Sequence, residues 1–572
     1  MKNVSKFLFT LFALVVVVGL TACNGNDGSE TADLGSSVVD EIDGEELPAE
    51  IQALVDQFDL PQPRFVPDSE VPSWMRDQEH HVELTWYVNM FWWPESRLGD
   101  RFVTSVIQDD LQIDIHFISG NMDNLNSMII GGDMPDIITM ESWATDLVSH
   151  AYEFALPLDV LAEVYDPYFL SIFPTEFKGW LSLDDGHLYG IPNEAMTSEE
   201  INSGFATPMS GFLVRQDIYE AIGSPDMTTP EGFLQALRDA YEYMPEIDGG
   251  IPLTAFSGVS TDIATGNNGS FSYNLQDFLG IPIMHPDGTW YDRDADPEYL
   301  EWMLIFHQAM EEGLMRMDQF VDQNEDILNR LERGEYFAFM TNNTNDAGSR
   351  INNIENDSPH RQYIAISGPR NRAGDPHTFG AGGINGWTHT FISQTTTDPQ
   401  TAMQVLTYFW SDHGQMVQQY GVYGETWHYV DGVPTFMPEQ LEIHTNDYYG
   451  FRDVYGMRTF WMLRRTGFFV AQGVLPTGPS GDISSFNREF AQSRLEFVNL
   501  DPVSGELGRD NDNLNIARSQ AIFNMFDSNS AAEATQIWQD FLDSRDIDFD
   551  FDGITEYRNA RLMENRTTLG ID

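Results

Sequence analysis

The sequence predicts an α/β fold built on a parallel sheet with helices on its faces. Strand-like stretches alternate with helical ones: a helical stretch separates VELTWYV (82–88) from LQIDIHFIS (111–119), and MDNLNSMII then precedes the apolar DIITM. This alternation is typical of parallel sheets, because parallel neighbours need a crossover connection. A chain of 572 residues is too long for a single core, so we expect two large lobes.

The N-terminus has the organisation of a secretion signal. Two lysines precede an apolar stretch at residues 7–18, which is shorter than the roughly 20 residues that span a bilayer. Small residues then lead to Cys23, the one cysteine of the chain. The tetrad LTAC (20–23) resembles the lipobox of bacterial lipoproteins. The resemblance implies that residues 1–22 are removed and that lipid on Cys23 holds the protein on the extracellular face of the cell membrane.

The segment at residues 23–78 predicts an acidic, flexible tether between the lipid and the folded body. Between Asn24 and Pro63 there is no lysine or arginine, and Gly, Ser, Asp and Glu dominate. Such a composition cannot bury much apolar surface and repels itself, so it stays extended. A short apolar spacing predicts a helical turn or two within it, at Ile51, Leu54, Val55 and Phe58.

The charge balance is strongly acidic. The chain has 29 basic and 90 acidic residues and a formal net charge of −61, which repels nucleic acid and anionic lipid and argues against both as partners. Only one lysine, Lys178, lies beyond the signal. Lysine loses its charge near pH ~10.4 while arginine keeps it above ~12. The deficit therefore favours an alkaliphilic or haloalkaliphilic host, with compositional drift as the alternative hypothesis.

The middle of the chain predicts further helices that feed strands. Asp296-Pro297 is an N-cap and first-turn pair, followed by apolar residues at helical spacing. NEDILNRLERGE then leads into the strand YFAFM (336–340). Asp398-Pro399 opens another helix, and Trp410 on its apolar face is interpreted as a core residue.

No metal or catalytic constellation is predicted. The histidines, His80-His81 included, lack ligand spacing, and a pair such as Asp184-Asp185 is expected by chance among 90 acids. DFDFDGITEYRN (548–559) starts like a calcium loop, but its twelfth position is Asn559 rather than glutamate. A strand or turn with solvated acids is the preferred interpretation of that segment. We expect no cofactor and no metal.

Several motifs, in order, resemble those of family 1 extracellular solute-binding proteins, the receptors of bacterial ABC importers. SMIIGGDMPDII (127–138) is similar to the family's Gly-Asp-x-Pro-Asp signature, and DDGHLYGIPNE (184–194) to its Asp-Gly-Lys-x-Tyr-Gly-x-Pro stretch. GFLVRQDIYEAIGSPDMTTPEGF (211–233) resembles its Arg-x-Asp helix and the turn after it. DPQTAMQVLTYFWSDHGQMVQQYGVYGETWHYVDG (398–432) looks like its late helix and Gly-rich turn. The resemblance covers roughly residues 80–510.

This resemblance implies a two-lobe periplasmic-binding-protein-like fold with a hinge of more than one crossing and a ligand cleft between the lobes. We expect lobe I at 79–195 and 368–412, and lobe II at 196–367 and 413–572. The resemblance also implies a monomeric, non-enzymatic receptor that delivers an oligosaccharide, uronate-containing ones included, to an ABC permease. At His187 the family commonly has lysine, and the change fits the general loss of lysine.

Candidate ligand-binding residues follow the predicted strands, because ligands of open α/β sheets bind at the carboxyl ends of parallel strands. Tryptophan faces suit the apolar C–H patches of a sugar ring, and amides and carboxylates suit its hydroxyls. The candidates are Asn89, Trp92, Trp93, Glu141, Trp143, Asn193, Glu194, Asn342, Trp387 and Trp427.

Three alternatives remain open from the sequence. The chain could be a surface-anchored glycoside hydrolase, which needs two carboxylates about 5–9 Å apart. It could be a receptor for peptides or other small solutes, to which its 24 methionines would lend an adaptable cleft. It could also be a co-receptor that signals to a sensor kinase.

Overall fold

The computed structural model describes residues 47–571 except for 205, 258–268, 321, 323, 358–360, 385, 447 and 475–477. The predicted signal, Cys23 and the first part of the predicted tether lie outside the described residues. Within them, buried apolar side chains form two large cores, and a third, smaller one. We name lobe I the parts that form the first and third cores, residues 47–206 and 381–474, and lobe II the parts that form the second, residues 207–380 and 478–571, of which Leu495 reaches into the first core.

The strands of both lobes are short. Those that the structure describes are β1 Val82–Val88, β2 Ile113–Ser119, β3 Ile137–Glu141, β4 Gly190–Pro192, β5 Gly211–Arg215, β6 Glu246–Ile247, β7 Ile251–Pro252, β8 Thr254–Ser257, β9 Tyr336–Thr341, β10 Tyr363–Ala365, β11 Phe379–Gly380, β12 Thr388–Ile392, β13 Trp427–Val430, β14 Val433–Phe436 and β15 Ala491–Gln492.

Lobe I is built on a five-stranded sheet with the order β2-β1-β3-β12-β4. β1 runs parallel to β2 and β3, whereas β12 is antiparallel to both of its neighbours. Side chains of β1 alternate between the two faces: Trp86 and Val88 enter the first core, and Tyr87 enters the third. The predicted parallel sheet is therefore mixed, because β12 enters the sheet from the opposite end.

Helices cover the faces of this sheet, as the sequence predicted. Asp398 caps the helix that it opens by accepting a hydrogen bond from the Thr401 amide at 3.0 Å, and Trp410 on that helix is buried. The α-helices of lobe I are Ala49–Phe58, Ser73–Arg76, Phe102–Leu111, Met122–Gly131, Thr145–Ser149, Leu158–Tyr165, Tyr168–Ile172, Thr175–Leu181, Ser198–Asn202, Pro399–Trp410, Asp412–Tyr420, Pro438–Asn446, Tyr448–Tyr455 and Thr466–Ala471, with 3-10 turns at Ala151–Glu153 and Trp461–Leu463.

Lobe II is built on a four-stranded sheet with the order β10-β5-β9-β8. β8 and β9 are parallel, and β5 is antiparallel to β9 and to β10. Its α-helices are Gln216–Ala221, Pro230–Tyr243, Gly269–Phe278, Pro297–Glu311, Asn324–Glu332, Thr344–Asp357, Gly478–Arg488, Gly505–Asp527, Ala531–Asp548 and Phe551–Leu569, with 3-10 turns at Arg293–Ala295, Met317–Phe320 and Leu495–Phe497. No helix among the described residues of either lobe is both long and apolar enough to cross a bilayer.

Several connections join the lobes. The chain passes from lobe I to lobe II after β4, returns before β12, and passes again after helix Thr466–Ala471. β11 and β15 pair in parallel beside these passages. The last helix braces the same region, since Asn565 Nδ2 donates to the carbonyls of Glu496 at 3.1 Å and Val498 at 2.7 Å. A hinge of more than one crossing was the expected arrangement.

The N-terminal segment corrects the predicted extent of the tether. Residues 47–78 are folded onto lobe I: Val55 and Trp74 are buried in its core, and Trp74 packs edge-on against Tyr408 with ring centroids 5.1 Å apart. Arg64 donates to Asp398 Oδ1 at 2.8 Å and also bonds Asp77. The burial of a few apolar residues thus stabilises a folded segment despite its acidic composition. The prediction of a flexible tether was therefore wrong for residues 47–78.

The second correction concerns the lobe boundaries. Residues 413–474, predicted for lobe II, contribute Phe436, Phe460 and Phe469 to the core of lobe I. Phe460 packs against Phe409 with ring centroids 4.7 Å apart, so this segment continues the lobe of the helix before it. The other changes of lobe occur after residues 206 and 380, rather than at the predicted 195 and 367.

The acidic repeat DFDFDG (548–553) forms a junction between helices. Asp548 ends helix Ala531–Asp548, and Asp550 caps helix Phe551–Leu569 by accepting from the Gly553 amide at 3.2 Å. The predicted strand or turn was wrong, because the carboxylate serves as an N-cap instead.

Candidate functional site

The carboxyl ends of β1 and β3 bring two polar candidates together. The Asn89 amide N–H donates to the Thr139 carbonyl at 2.9 Å, and Asn89 Nδ2 donates to Glu141 Oε2 at 2.6 Å. Burial and the negative charge of Glu141 raise the pKa of Tyr87 to about 12. Its phenol therefore keeps its proton and donates to the Asn121 carbonyl at 2.7 Å. Glu141 is half-buried at the same edge.

Four tryptophans form a continuous row beside this edge: Trp143, Trp387, Trp461 and Trp92, hereafter the Trp column. The ring centroids lie 6.2 Å apart from Trp143 to Trp387, 4.3 Å from Trp387 to Trp461 and 6.0 Å from Trp461 to Trp92. The first two pairs are parallel within 11° and the third within 27°. The end members are the most exposed, Trp143 at 67% and Trp92 at 48%. The column thus presents aromatic surface to solvent on a rigid, stacked support.

Sheet pairing places the first two rings side by side. β12 is antiparallel to β3, with Thr388 opposite Glu141, so the residue before β12 meets the residues after β3. Ser142 fixes this approach, since its amide donates to the Trp387 carbonyl at 2.9 Å and its hydroxyl to the Gly386 carbonyl at 2.7 Å. Two segments that are about 240 residues apart in the sequence therefore hold one aromatic pair.

A close backbone approach fixes the base of the column. A Cβ at Gly386 would lie 1.7 Å from the Asn193 carbonyl oxygen, so no larger residue fits there. Asn193 itself is fully buried, and its Oδ1 accepts from the Thr388 amide at 2.9 Å. The structure therefore removes Asn193 from the residues that can touch a ligand: it positions the strand that follows Trp387.

Two backbone hydrogen bonds connect Glu194 to the turn that carries Trp461 and so place it beside the Trp column. Its amide donates to the Arg464 carbonyl at 2.8 Å, and the Arg464 amide donates to the Trp461 carbonyl at 3.1 Å. Glu194 Oε1 lies 3.9 Å from Arg464 Nη1, and both side chains are about one third exposed. Glu194 adopts a φ of +53°, an unusual conformation for a residue with a side chain, and one often found at functional sites.

Two predicted tryptophans are buried and leave the candidate set. Trp93 is 5% exposed and packs against Phe117 and Phe460; its edge supports Trp461 from below, with centroids 6.3 Å apart at 72°. Trp427 is also 5% exposed, and its ring packs against Tyr420. Trp427 begins β13, and its outer side is covered by the exposed rings of Tyr423 and Tyr429, each with its centroid 5.1 Å away.

One predicted candidate, Asn342, lies in lobe II. Trp461, by contrast, belongs to the Trp column but was not predicted. Asn342 follows β9 and is half-buried at the carboxyl end of that strand. Trp461 was missed because it follows no strand: it starts the 3-10 turn Trp461–Leu463, and the sequence around it has no strand pattern. The one available signal was FWML within a polar stretch of residues.

No group of three or more histidine, cysteine, aspartate or glutamate side chains within the described residues is arranged to hold a metal ion.

Comparison with solved structures gives the fold. Over 84% of this chain and 98% of the other, the structure is similar to AlgQ2, an alginate-binding protein, with a TM-score of 0.60 and 13% identity. It is similar to a solute-binding protein associated with an ABC transporter for HMO from Bifidobacterium longum infantis, with a TM-score of 0.61, 11% identity, and coverage of 85% and 99%. It is also similar to FusA of S. pneumoniae, solved with kestose, with a TM-score of 0.59, 14% identity, and coverage of 85% and 99%.

At the level of sequence, no protein-family model and no curated protein matches the chain. The fold that the motif resemblance implied is thus confirmed by three-dimensional structure rather than by sequence. The chain has the α/β fold of these solved binding proteins.

Proposed function

We propose that the protein captures an oligosaccharide against the Trp column and delivers it to the transmembrane subunits of an ABC permease. The observation that carries the proposal is the Trp column itself, with Glu141 and Glu194 beside it. A contiguous exposed apolar patch, unlike a single exposed residue, marks an interaction or ligand-binding surface. Sugar rings suit this surface, since their C–H faces stack on aromatic rings while their hydroxyls donate to carboxylates.

The energetics require contacts beyond the column. If each aromatic contact contributes about 0.5–1.5 kcal/mol, two exposed rings supply only part of the roughly 8 kcal/mol that micromolar binding requires. Hydrogen bonds to the polar edge and contacts with lobe II supply the rest. Asn342, at the carboxyl end of β9, is the proposed contact from lobe II.

The proposed mechanism is closure about the hinge. A ligand that touches both lobes binds the closed state more tightly than the open one and so shifts the equilibrium towards closure. The closed surface is then what the permease recognises. The solved structures with this fold support the carbohydrate assignment, since their names mention alginate, HMO and kestose. A non-enzymatic, monomeric role follows the same analogy.

A thermal-shift screen of the soluble chain from Asn24 to Asp572 tests the ligand class. Oligosaccharide panels should raise the melting temperature, whereas peptide panels should not. A ligand at 100 times its dissociation constant adds about 2.7 kcal/mol, which is a shift of a few degrees for a protein of this size. Trp143→Ala should reduce the shift, because it removes the most exposed ring of the column.

The matched control is Tyr243→Ala, an exposed aromatic on helix Pro230–Tyr243 of lobe II, which should leave the shift unchanged. Peptide hits alone would replace the carbohydrate assignment with a peptide one. Sustained release of reducing ends from a glycan hit would instead favour the glycoside hydrolase. No shift with any ligand, from a folded protein, would count against the transport receptor and favour the two rival roles, the glycoside hydrolase and the sensor-kinase co-receptor.

We also propose that Cys23 carries the lipid that anchors the protein on the extracellular face of the membrane. The lipobox-like LTAC and its apolar run support this, and the arginine-rich ion pairs suit an alkaline exterior. Metabolic labelling with an alkyne-bearing fatty acid should tag the wild-type chain in its host and leave Cys23→Ser unlabelled. Equal labelling of both chains, or of neither, would contradict the anchor.

A further inference from the structure

The charged side chains around the Trp column are predominantly acidic. Glu141 lies at the end of β3 with one carboxylate oxygen held by Asn89, and Glu194 lies beside the turn of Trp461. Both residues are only partly buried, so both carboxylates are accessible to solvent beside the column.

The nearby cation is already engaged. Arg464 Nη1 lies 3.9 Å from Glu194 Oε1, and its guanidinium lies over the Phe469 ring at 5.4 Å. The charges of Arg464 and Glu194 therefore offset each other, and the face of the guanidinium is covered by an aromatic ring. Glu194 thus holds Arg464 away from an acidic ligand, and Glu141 remains as the carboxylate beside the column without a cation on it among the described residues. A site for a carboxylated sugar would instead present an open arginine fork.

At the carboxyl ends of β8 and β9, the residues that the structure describes are uncharged. β8 ends at Ser257, and β9 ends at Thr341 and is followed by Asn342, all of them uncharged. The chain as a whole has a formal net charge of −61, and the field of such a protein repels anions over several ångströms.

We infer that the ligand of the Trp column is an oligosaccharide without acidic groups, neutral or amino-substituted, and that the site rejects uronates. This inference rests on the proposed carbohydrate function and narrows it. The sequence resemblance had included uronate-containing ligands, and alginate, named for one protein of this fold, is a polymer of uronates. The names of proteins with this fold mention both alginate and kestose, so the fold alone does not set the charge of the ligand. The charged side chains beside the column do.

Isothermal titration with two panels matched in length tests the inference: neutral and amino-substituted tri- to hexasaccharides, and uronate oligomers of the same lengths. Every hit should fall in the first panel, and for any neutral hit the corresponding uronate form should bind at least tenfold more weakly. Raising the salt concentration should reduce this discrimination, because screening weakens repulsion between charges.

Variants of the two carboxylates give a readout that loss of fold cannot imitate. Glu141→Gln, Glu194→Gln and the double variant should raise the ratio of uronate to neutral affinity stepwise, whatever their effect on either affinity alone. Glu242→Gln, an exposed carboxylate on helix Pro230–Tyr243 of lobe II, removes the same charge far along the chain and should leave the ratio unchanged.

The possible outcomes separate this inference from the proposed function. Uronates that bind more tightly than their neutral forms, or a ratio that the two glutamines do not move, would overturn the inference and leave a carbohydrate receptor standing. Peptide binding without any carbohydrate binding would overturn both.

Discussion

Replacing Trp387 by alanine is expected to weaken oligosaccharide binding by about ten- to a hundredfold, which corresponds to about 1.4–2.8 kcal/mol. Trp387 stacks on Trp461 at 4.3 Å and on Trp143 at 6.2 Å, so its loss leaves both neighbours without support. Isothermal titration with a glycan hit measures the effect. Because Trp387 is partly buried against the core of lobe I, urea unfolding of the same variant separates lost affinity from lost stability.

Trp387→Phe is the matched variant for this experiment. A phenyl ring keeps the stacking partner and removes only part of the aromatic area, so binding should recover to within several-fold of wild type. If Trp387→Ala binds as tightly as wild type while it remains folded, the ligand lies elsewhere and the Trp column is a packing feature of lobe I.

Asp166→Asn is expected to stabilise the protein at alkaline pH and to remove a large part of its dependence on pH. Asp166 is fully buried, and its Oδ1 accepts from the Ser73 amide at 3.2 Å. Burial raises the pKa of its carboxyl to about 7, and the hydrogen bond from Ser73 opposes this only in part. An unfolded aspartate has a pKa near 3.9, so the folded chain holds a proton that the unfolded chain releases between about pH 4 and pH 7.

The direction in which the free energy of unfolding changes with pH follows from this difference in bound protons. The folded state binds more protons within that window, so the free energy of unfolding falls as pH rises from about 4 to 7 and this contribution is constant above. Three pKa units correspond to about 4 kcal/mol. Asparagine is neutral throughout, so urea unfolding should show the variant about 1.5 kcal/mol more stable than wild type at pH 5 and about 4 kcal/mol more stable at pH 9.

Asp398→Asn is the control of opposite sign. Hydrogen bonds from Thr401 and the charge of Arg64 hold the pKa of Asp398 below its usual value despite burial, so its stabilisation is present above pH 4 and lost only in acid. The variant should be less stable than wild type by a similar amount at pH 5 and pH 9. An Asp166→Asn effect that is equally independent of pH would show that Asp166 stays ionised in the folded state.

Much of the fold could be predicted from local patterns. The strands at 82–88 and 113–119, the helix caps at Asp296 and Asp398 and the burial of Trp410 all follow from periodicity and capping. The direction of β12 could not, since it depends on where the chain returns from lobe II. For the same reason residues 413–474 were assigned to the wrong lobe: core membership is decided by contacts between distant segments.

The candidate site was likewise only partly predictable from local sequence patterns. The rule that ligands bind after strands selected Asn89, Glu141, Trp143 and Trp387 as candidates, and the structure brings them together in pairs because strand ends meet at one edge of a sheet. It could not tell that Trp93 points into the core while its neighbour Trp92 points out. Trp461 was beyond such a rule, since tertiary packing alone brings its 3-10 turn to the edge.

The stacking of the Trp column also gives the protein an internal optical probe. Indole rings 4.3 Å apart and parallel within 11° are close enough for their electronic transitions to couple, so Trp387 and Trp461 share excited states rather than absorbing independently. A sugar ring seated on Trp143 or Trp92 replaces water at the ends of this coupled array and alters its polarity. Ligand binding at the column is therefore expected to change the near-ultraviolet circular dichroism and the tryptophan fluorescence of the unlabelled protein.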